Sequence, residues 1–60
     1  MKYPKDTLKR FIVELQEDGV NLSKWEEDFV ENVREKLARY GSLSVRQVEI
    51  LDRIYAERTP

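Results

Sequence analysis

The chain lacks both cysteine and histidine in its 60 residues. These absences exclude a disulfide framework, a thiol nucleophile, an imidazole base and the usual zinc ligand sets. No apolar run is long enough for a signal-peptide core or for a membrane-spanning helix, which needs about 20 residues. We therefore expect a cytoplasmic protein with no membrane association, no metal and no cofactor.

Charge of one sign is also missing, because 11 Lys and Arg residues nearly cancel 12 Asp and Glu residues. The two signs alternate along the chain, so the uniformly basic field of a simple phosphate-backbone binder is absent. Apolar residues are regularly spaced, which favours a folded chain over disorder. Residues 1–60 are expected to form one domain, whose small size requires good helix packing, a partner or self-association.

Residues 4–18 are predicted to form the first helix. Proline is well tolerated in a first helical turn, which suits Pro4, while Asp6 or Thr7 is the alternative cap. Gly19 is expected to end the helix in the left-handed conformation. One apolar stripe recurs at helical spacing: Leu8, Phe11, Ile12 and Leu15.

Residues 23–40 are predicted to form the second helix. Ser23 and Glu26 have the spacing of a capping box, in which each side chain bonds the backbone amide of the other. Gly41 is expected to end the helix. The predicted buried face consists of Trp25, Phe29, Val33 and Leu37. Trp25 and Phe29, like Phe11 of the first helix, are therefore expected in the core.

Residues 44–57 repeat this pattern in a third helix. Ser44 and Gln47 form a second capping box, and Leu43 is expected to pack on Val48 across the first turn. The apolar stripe consists of Val48, Leu51, Ile54 and Tyr55. Short connections between the three amphipathic helices favour antiparallel neighbours. The predicted fold is all-α, a compact three-helix bundle.

The stretch LSVRQVEIL, residues 43–51, resembles the opening helix of several bacterial helix-turn-helix domains. In those families this helix is a scaffold, and a later helix enters the major groove. As an alternative, helix three could itself face bases through Arg46, Gln47, Glu49 and Arg53. Gln47 is already engaged in the capping box and Glu49 would repel phosphate, so we do not expect sequence-specific DNA binding.

Residues 22–58 also resemble short helical modules of phage and bacterial proteins of DNA replication and recombination. The matching residues are Leu22, Ser23, Trp25, Glu26, Phe29, Val30, Gly41, Leu43, Ser44, Arg46, Gln47, Ile50, Leu51, Ile54 and Tyr55. Most of them are caps or predicted core positions. The resemblance therefore implies a fold and a setting in DNA metabolism, but it transfers no binding residue.

Two sets of candidate contact residues follow from local patterns. A basic cluster near the first helix, which could contact nucleic acid or an acidic partner, consists of Lys2, Lys5, Lys9 and Arg10. Its alternative is a solvated face in which Arg10 pairs with Glu14. Apolar and aromatic residues at the edges of the stripes, which could form a protein interface, are Val13, Ile50, Tyr40 and Tyr55.

Catalysis is not expected, because the ionisable residues are scattered over polar faces and so small a bundle leaves little room for a substrate pocket. The preferred hypothesis is a non-catalytic interaction module of phage or bacterial origin, with no small-molecule substrate. It would dock on a protein of DNA metabolism or form a homodimer. The alternative is a weak nucleic-acid-binding protein that uses the basic cluster. The chain could also be a piece of a larger protein.

Overall fold

A computed structural model describes residues 3–59 and contains three helices in that range. Helix α1 spans Lys5–Asp18, α2 spans Lys24–Tyr40 and α3 spans Val45–Arg58. No strand occurs in the described part of the chain. All three helices contact one another, so the prediction of an all-α three-helix bundle is confirmed. Each helix begins one residue later than predicted.

Both predicted capping boxes are present. The Glu26 amide donates to Ser23 Oγ (3.2 Å), and the Ser23 amide donates to Glu26 Oε1 (2.8 Å). At α3 the Gln47 amide donates to Ser44 Oγ (3.1 Å), and the Ser44 amide donates to Gln47 Oε1 (2.9 Å). These bonds satisfy amides that the first turn leaves without partners, which fixes where α2 and α3 begin.

Helix α1 begins differently from the other two. Pro4 occupies its cap position and makes no side-chain capping bond, so the alternative caps Asp6 and Thr7 were wrong. Instead, the Pro4 carbonyl accepts the Thr7 and Leu8 amides, each at 3.1 Å. Proline sets the backbone for entry into the helix without needing a donor of its own.

The two glycines end their helices in different ways. Gly41 adopts the left-handed conformation with φ 77°, as the usual glycine stop requires. Gly19 does not: its φ is −64° and its ψ 141°, so the predicted left-handed stop was wrong there. The chain leaves α1 extended because the Val20 amide donates to the Arg58 carbonyl (2.8 Å), and the left-handed residue of this connection is Asn21.

The buried core draws on all three helices and on the second connection. It consists of Leu8, Phe11, Ile12, Leu15, Val30, Val33, Leu37, Leu43, Val48, Leu51 and Ile54. The expected burial of Phe11 is confirmed. Trp25 is the main correction, since 60% of its surface is exposed, and Phe29 is only partly buried.

The reason for this correction lies in the first half of α2, where the buried face is displaced by one residue from the predicted stripe, while Val33 and Leu37 are buried as predicted. The buried face of α2 carries Val30, Val33 and Leu37, together with Glu26. Trp25 and Phe29 each precede a buried residue, and one residue corresponds to about 100° around a helix. They therefore lie on the flank of α2 and not on its core face.

The topology brings specific helix termini together. Arg58 at the end of α3 bonds Glu26 at the start of α2 (3.2 Å), and Val20 just after α1 bonds the same arginine's carbonyl. At the opposite end of the bundle, the Lys5 ammonium lies 3.8 Å from where a Cβ at Gly41 would be. One end therefore collects the start of α1, the end of α2 and the start of α3.

Candidate interaction surfaces

An open groove runs between α2 and α3. Its α2 side includes Phe29 and Tyr40, and Gln47 lines it from α3. Ile50 follows Gln47 by three residues, on the same side of α3, and packs partly against the core. Trp25 extends the α2 side because it lies one turn before Phe29. We call this surface, Trp25, Phe29, Tyr40, Gln47 and Ile50, the aromatic groove.

Trp25 and Phe29 form a stacked pair in the aromatic groove. Their ring centroids are 5.4 Å apart and their planes differ by 14°. Because Phe29 packs against the core while Trp25 stays exposed, the phenyl ring supports the indole from the protein side. The indole thus rests on the phenyl ring with most of its surface in water, which is unfavourable for so large an apolar group.

A polar cluster occupies the core face of α2 at the position where an apolar residue would be expected. Glu26 retains only 9% of its surface exposed. One carboxylate oxygen accepts the Ser23 amide, and the other accepts the Arg58 Nε–H at 3.2 Å. The Ser23 amide bond, aided by Arg58 and opposed by burial, lowers the pKa of Glu26 below its ordinary value.

Sequence reasoning identified the capping role of Glu26 but missed its ion pair with Arg58. A usable pattern was present: Glu26 lies four, seven and eleven residues before Val30, Val33 and Leu37, which places it on their face. A carboxylate in that register needs a cation, and only the tertiary fold shows that Arg58 supplies it.

The four predicted interface residues do not form one surface. Tyr40 is 66% exposed and lines the groove, while Ile50 is partly buried against the core. Val13 is exposed in a separate shallow groove between α1 and α2, beside Lys9. Tyr55 is directed inward: its ring stacks on Phe11 with centroids 4.0 Å apart.

Tyr55 is held further by its hydroxyl, which donates to Glu14 Oε1 at 3.1 Å. Burial of the phenol, followed by its hydrogen bond to the Glu14 carboxylate, raises the pKa of Tyr55. A ring that packs against the core, with a satisfied hydroxyl, serves the fold. Of the four predicted interface residues, Tyr40 is the one that lines the groove between α2 and α3.

The predicted basic cluster is only partly present as a unit. Lys5, Lys9 and Arg10 are all exposed, and Lys2 lies outside the described residues. Arg10 lies 3.6 Å from Glu14 in the ion pair of the alternative interpretation. Lys5 instead lies beside Gly41, at the end of α2.

Tyr3, which directly precedes α1 near the lysines, is engaged elsewhere. Its hydroxyl donates to Asp52 Oδ1 (2.8 Å), and its ring makes an edge-to-face contact with Phe11. Its side chain therefore supports the α1–α3 packing. The residues that join Lys5 at its end of the bundle come from α2 and α3, far away in sequence, and sequence reasoning did not find them.

Metal and membrane chemistry have no visible place in the described residues. No group of three or more Asp or Glu side chains in residues 3–59 could hold a metal ion. Both groups with clearly shifted pKa values, Glu26 and Tyr55, have partners that account for the shift. None of the helices in this range combines the length and the apolar character that crossing a bilayer requires.

Comparison with known proteins gives no relative. No family model, no curated protein and no solved structure matches the chain. The functional argument therefore rests on the geometry of the surfaces described above.

Proposed function

We propose that this chain is a non-catalytic interaction module that docks on another protein through the aromatic groove. The observation that carries the proposal is the Trp25–Phe29 stack, which holds an indole in place with 60% of its surface in water. Aromatic side chains of this kind dominate the binding energy of protein interfaces when a partner covers them.

The size of the apolar term supports this assignment. A tryptophan has roughly 200 Å² of surface to bury, so covering the exposed part of Trp25 would contribute about 3 kcal/mol at 25 cal/mol per Å². That gain corresponds to more than a hundredfold in affinity. Phe29 already orients the ring, so little side-chain entropy is lost when a partner binds.

The polar edge of the groove supports a protein partner in particular. Lys36 and Arg39 lie beside Tyr40 at one end, and Glu35 lies close by. An apolar centre with charged residues at its border is the usual composition of a protein interface. The groove is open, which suits a helix or loop of a partner better than a small molecule.

The resemblance of residues 22–58 to helical modules of phage and bacterial DNA replication and recombination proteins supports a partner from DNA metabolism in the cytoplasm. A second copy of the chain is the other candidate partner. Self-association would also help so short a chain to remain folded, because a dimer adds buried surface.

The test uses two exposed apolar residues that differ in position. Trp25→Ala removes the anchor of the groove, whereas Val45→Ala removes an exposed side chain outside it (72% exposed). Replication and recombination proteins of the native host would be titrated onto each immobilised variant, and sedimentation across a concentration series would measure self-association. We expect Trp25→Ala to weaken binding at least about tenfold and Val45→Ala to leave it unchanged.

Two controls make the outcome decisive. Circular dichroism must show that both variants keep wild-type helix content. Trp25 is the only tryptophan of the chain, so a partner that covers it must shift the emission of the wild-type protein to shorter wavelength. Binding that is equal for wild type and Trp25→Ala would refute the groove as the docking site.

A further inference from the structure

Ion pairs are unevenly distributed over the described residues. Five cations each have a carboxylate partner: Arg10 with Glu14, Arg34 with Glu31, Lys24 with Asp28, Arg53 with Glu57, and Arg58 with Glu26. Five cations form no ion pair with any carboxylate of residues 3–59: Lys5, Lys9, Lys36, Arg39 and Arg46.

The topology places these five cations at one end of the bundle. Lys5 and Lys9 lie in the first two turns of α1, Lys36 and Arg39 near the end of α2, and Arg46 in the first turn of α3. Each is within about 6 Å of its helix terminus along the helix axis, at 1.5 Å per residue. We call this group the cationic end. All five side chains are exposed.

The cationic end keeps a positive excess after its own acids are counted. Asp6, Glu35 and Glu49 are the unpaired carboxylates there, three against five. The opposite end has the reverse balance, since Glu17, Asp18 and Glu27 are unpaired while its cations are neutralised. The net charge of the chain is nearly zero, but positive charge is in excess at one end of the bundle and negative charge at the other.

An exposed aromatic ring lies within the cationic end. Tyr40, the last residue of α2, borders the aromatic groove beside Lys36 and Arg39, and 66% of its surface is exposed. Unpaired cations around an exposed aromatic ring are the combination by which proteins hold single-stranded nucleic acid: the cations contact phosphates and the ring stacks on a base.

We propose that the cationic end, Lys5, Lys9, Lys36, Arg39 and Arg46, binds the phosphate backbone of a single-stranded nucleic acid, with Tyr40 stacking on a base. A single strand is favoured over a duplex by the size of the site. The bundle is about 19 by 18 Å across its shorter axes, so a long rigid duplex would extend well beyond the cations. A flexible strand can curve over the end and avoid the acidic side.

This site differs from the surface proposed for protein docking. Lys36, Arg39 and Tyr40 border both, but Trp25 and Phe29 lie towards the other end of α2. Binding of a single strand should therefore survive loss of Trp25. The cationic end has five unpaired cations around Tyr40, which suits a phosphate chain with stacked bases better than an acidic protein surface.

The experiment measures anisotropy of a labelled oligothymidylate titrated with the intact protein at several salt concentrations. The double variant R39Q/R46Q removes two cations from the cationic end. The control K24Q/R53Q removes the same charge from two ion-paired residues outside the cationic end, one in the first turn of α2 and one in the middle of α3. We expect R39Q/R46Q to weaken binding at least about tenfold at low salt and to reduce the logarithmic salt slope by about 1.4, at about 0.7 per lost phosphate contact. The control should change affinity less than about twofold.

Tyr40 separates base stacking from simple charge attraction. Y40L should weaken binding at least about fivefold, whereas Y40F, which retains the ring, should bind as the wild type does. Trp25→Ala should also bind as the wild type does, which makes failure of this proposal distinguishable from failure of the docking groove. Circular dichroism confirms that each variant is folded.

Three results would overturn the proposal. The first is absence of binding to oligothymidylate even at low salt. The second is an equal loss in R39Q/R46Q and K24Q/R53Q, which would mean that net charge alone matters. The third is competition by polyglutamate as effective as that by unlabelled oligothymidylate, together with no effect of Y40L. That last result would assign the cationic end to an acidic protein surface.

Discussion

A helix begins with a capping box at each end of this bundle, but the two capping boxes have different surroundings. At one end, α2 begins with a capping box in which Glu26 is buried and accepts a hydrogen bond from Arg58. At the other end, α3 begins with a capping box in which the neutral Gln47 lines the aromatic groove. The α2 capping box also bonds another helix, through Arg58 of α3. The α3 capping box only caps its own helix, and the cations near it have no carboxylate partner.

This difference indicates how stability and function are divided in a small bundle. Acidic residues in the first turn of α2 suit the positive end of the helix dipole. The first turn of α3 has no acidic residue, although Arg46 lies there. Local stability would favour the opposite charge at that position. A departure from local preference at an exposed position is a mark of function, and it coincides here with the cationic end.

The largest expected effect comes from Leu51→Ala, which would break the framework that both ends share. Leu51 is fully buried, so the substitution should lower the free energy of unfolding by about 3 kcal/mol. A chain of this size has roughly 3–9 kcal/mol in total. Urea unfolding would measure the change. Exposed Val45→Ala serves as control, with less than about 0.5 kcal/mol expected. A loss below about 1 kcal/mol for Leu51→Ala would contradict the packing.

The two glycines should respond unequally to alanine. A Cβ at Gly19 would collide with the Leu15 carbonyl oxygen and would lie 2.5 Å from Leu22 Cδ1. A Cβ at Gly41 has room, and only the left-handed backbone disfavours it. Gly19→Ala should therefore cost about 2 kcal/mol and Gly41→Ala about 1 kcal/mol in thermal or urea unfolding. The reverse order would mean that backbone strain outweighs the collision.

The two serine caps offer a closer comparison of the ends. Replacing a capping serine by alanine costs about 1 kcal/mol. The Ser23 bond is partly buried and the Ser44 bond is exposed, so water can replace the second more easily. Ser23→Ala should therefore destabilise the protein more than Ser44→Ala, by about 0.5 kcal/mol in urea unfolding. Equal losses would show that the α2 box gains nothing from its tertiary surroundings.

The contacts of Glu26 should make the stability of the fold depend on pH in the acidic range. The pKa of Glu26 is lowered in the folded protein, chiefly by the Ser23 amide, so the unfolded chain binds this proton at higher pH. Stability is thus present above the ordinary glutamate pKa, about 4.3, and is lost as pH falls through the folded value. In Glu26→Gln the slope of melting temperature against pH below about 4.3 should be flatter than in the wild type. A wild-type slope in Glu26→Gln would contradict this contact.

The helices were predictable because their determinants are local. The two capping boxes and the left-handed Gly41 each involve residues only a few positions apart. Sequence alone therefore located the ends of α2 and α3 to within one residue. The buried face in the first half of α2 was harder to predict. Hydrophobicity placed Trp25 in the core stripe, and the register that favours Glu26 requires a buried carboxylate, which is tolerated because Arg58, 32 residues away, pairs with it.

The candidate surfaces show the same limit. The lysines near the start of α1 were visible as a local cluster, and Tyr40 and Ile50 as residues at stripe edges. Their true neighbours were not visible, because the end of α2 and the start of α3 reach the start of α1 only in the folded bundle, where Lys5 lies beside Gly41. Charge alternation along the sequence suggested an even distribution of charge. In the fold, carboxylates neutralise the cations at one end of the bundle, while the cations at the other end remain unpaired.

The smallest stability effect is expected from Arg46→Glu, and it should be favourable. A carboxylate in the first turn of α3 would interact well with the helix dipole, while repulsion from Glu49 would reduce the gain to about 0.3 kcal/mol. The same substitution removes a phosphate contact and adds repulsion, so binding to oligothymidylate should weaken at least about tenfold. Urea unfolding and anisotropy on the same preparation would measure both. If binding and stability increased together, the unpaired arginine would have no role in contacting an anionic strand, and the cationic end would be an ordinary solvated surface.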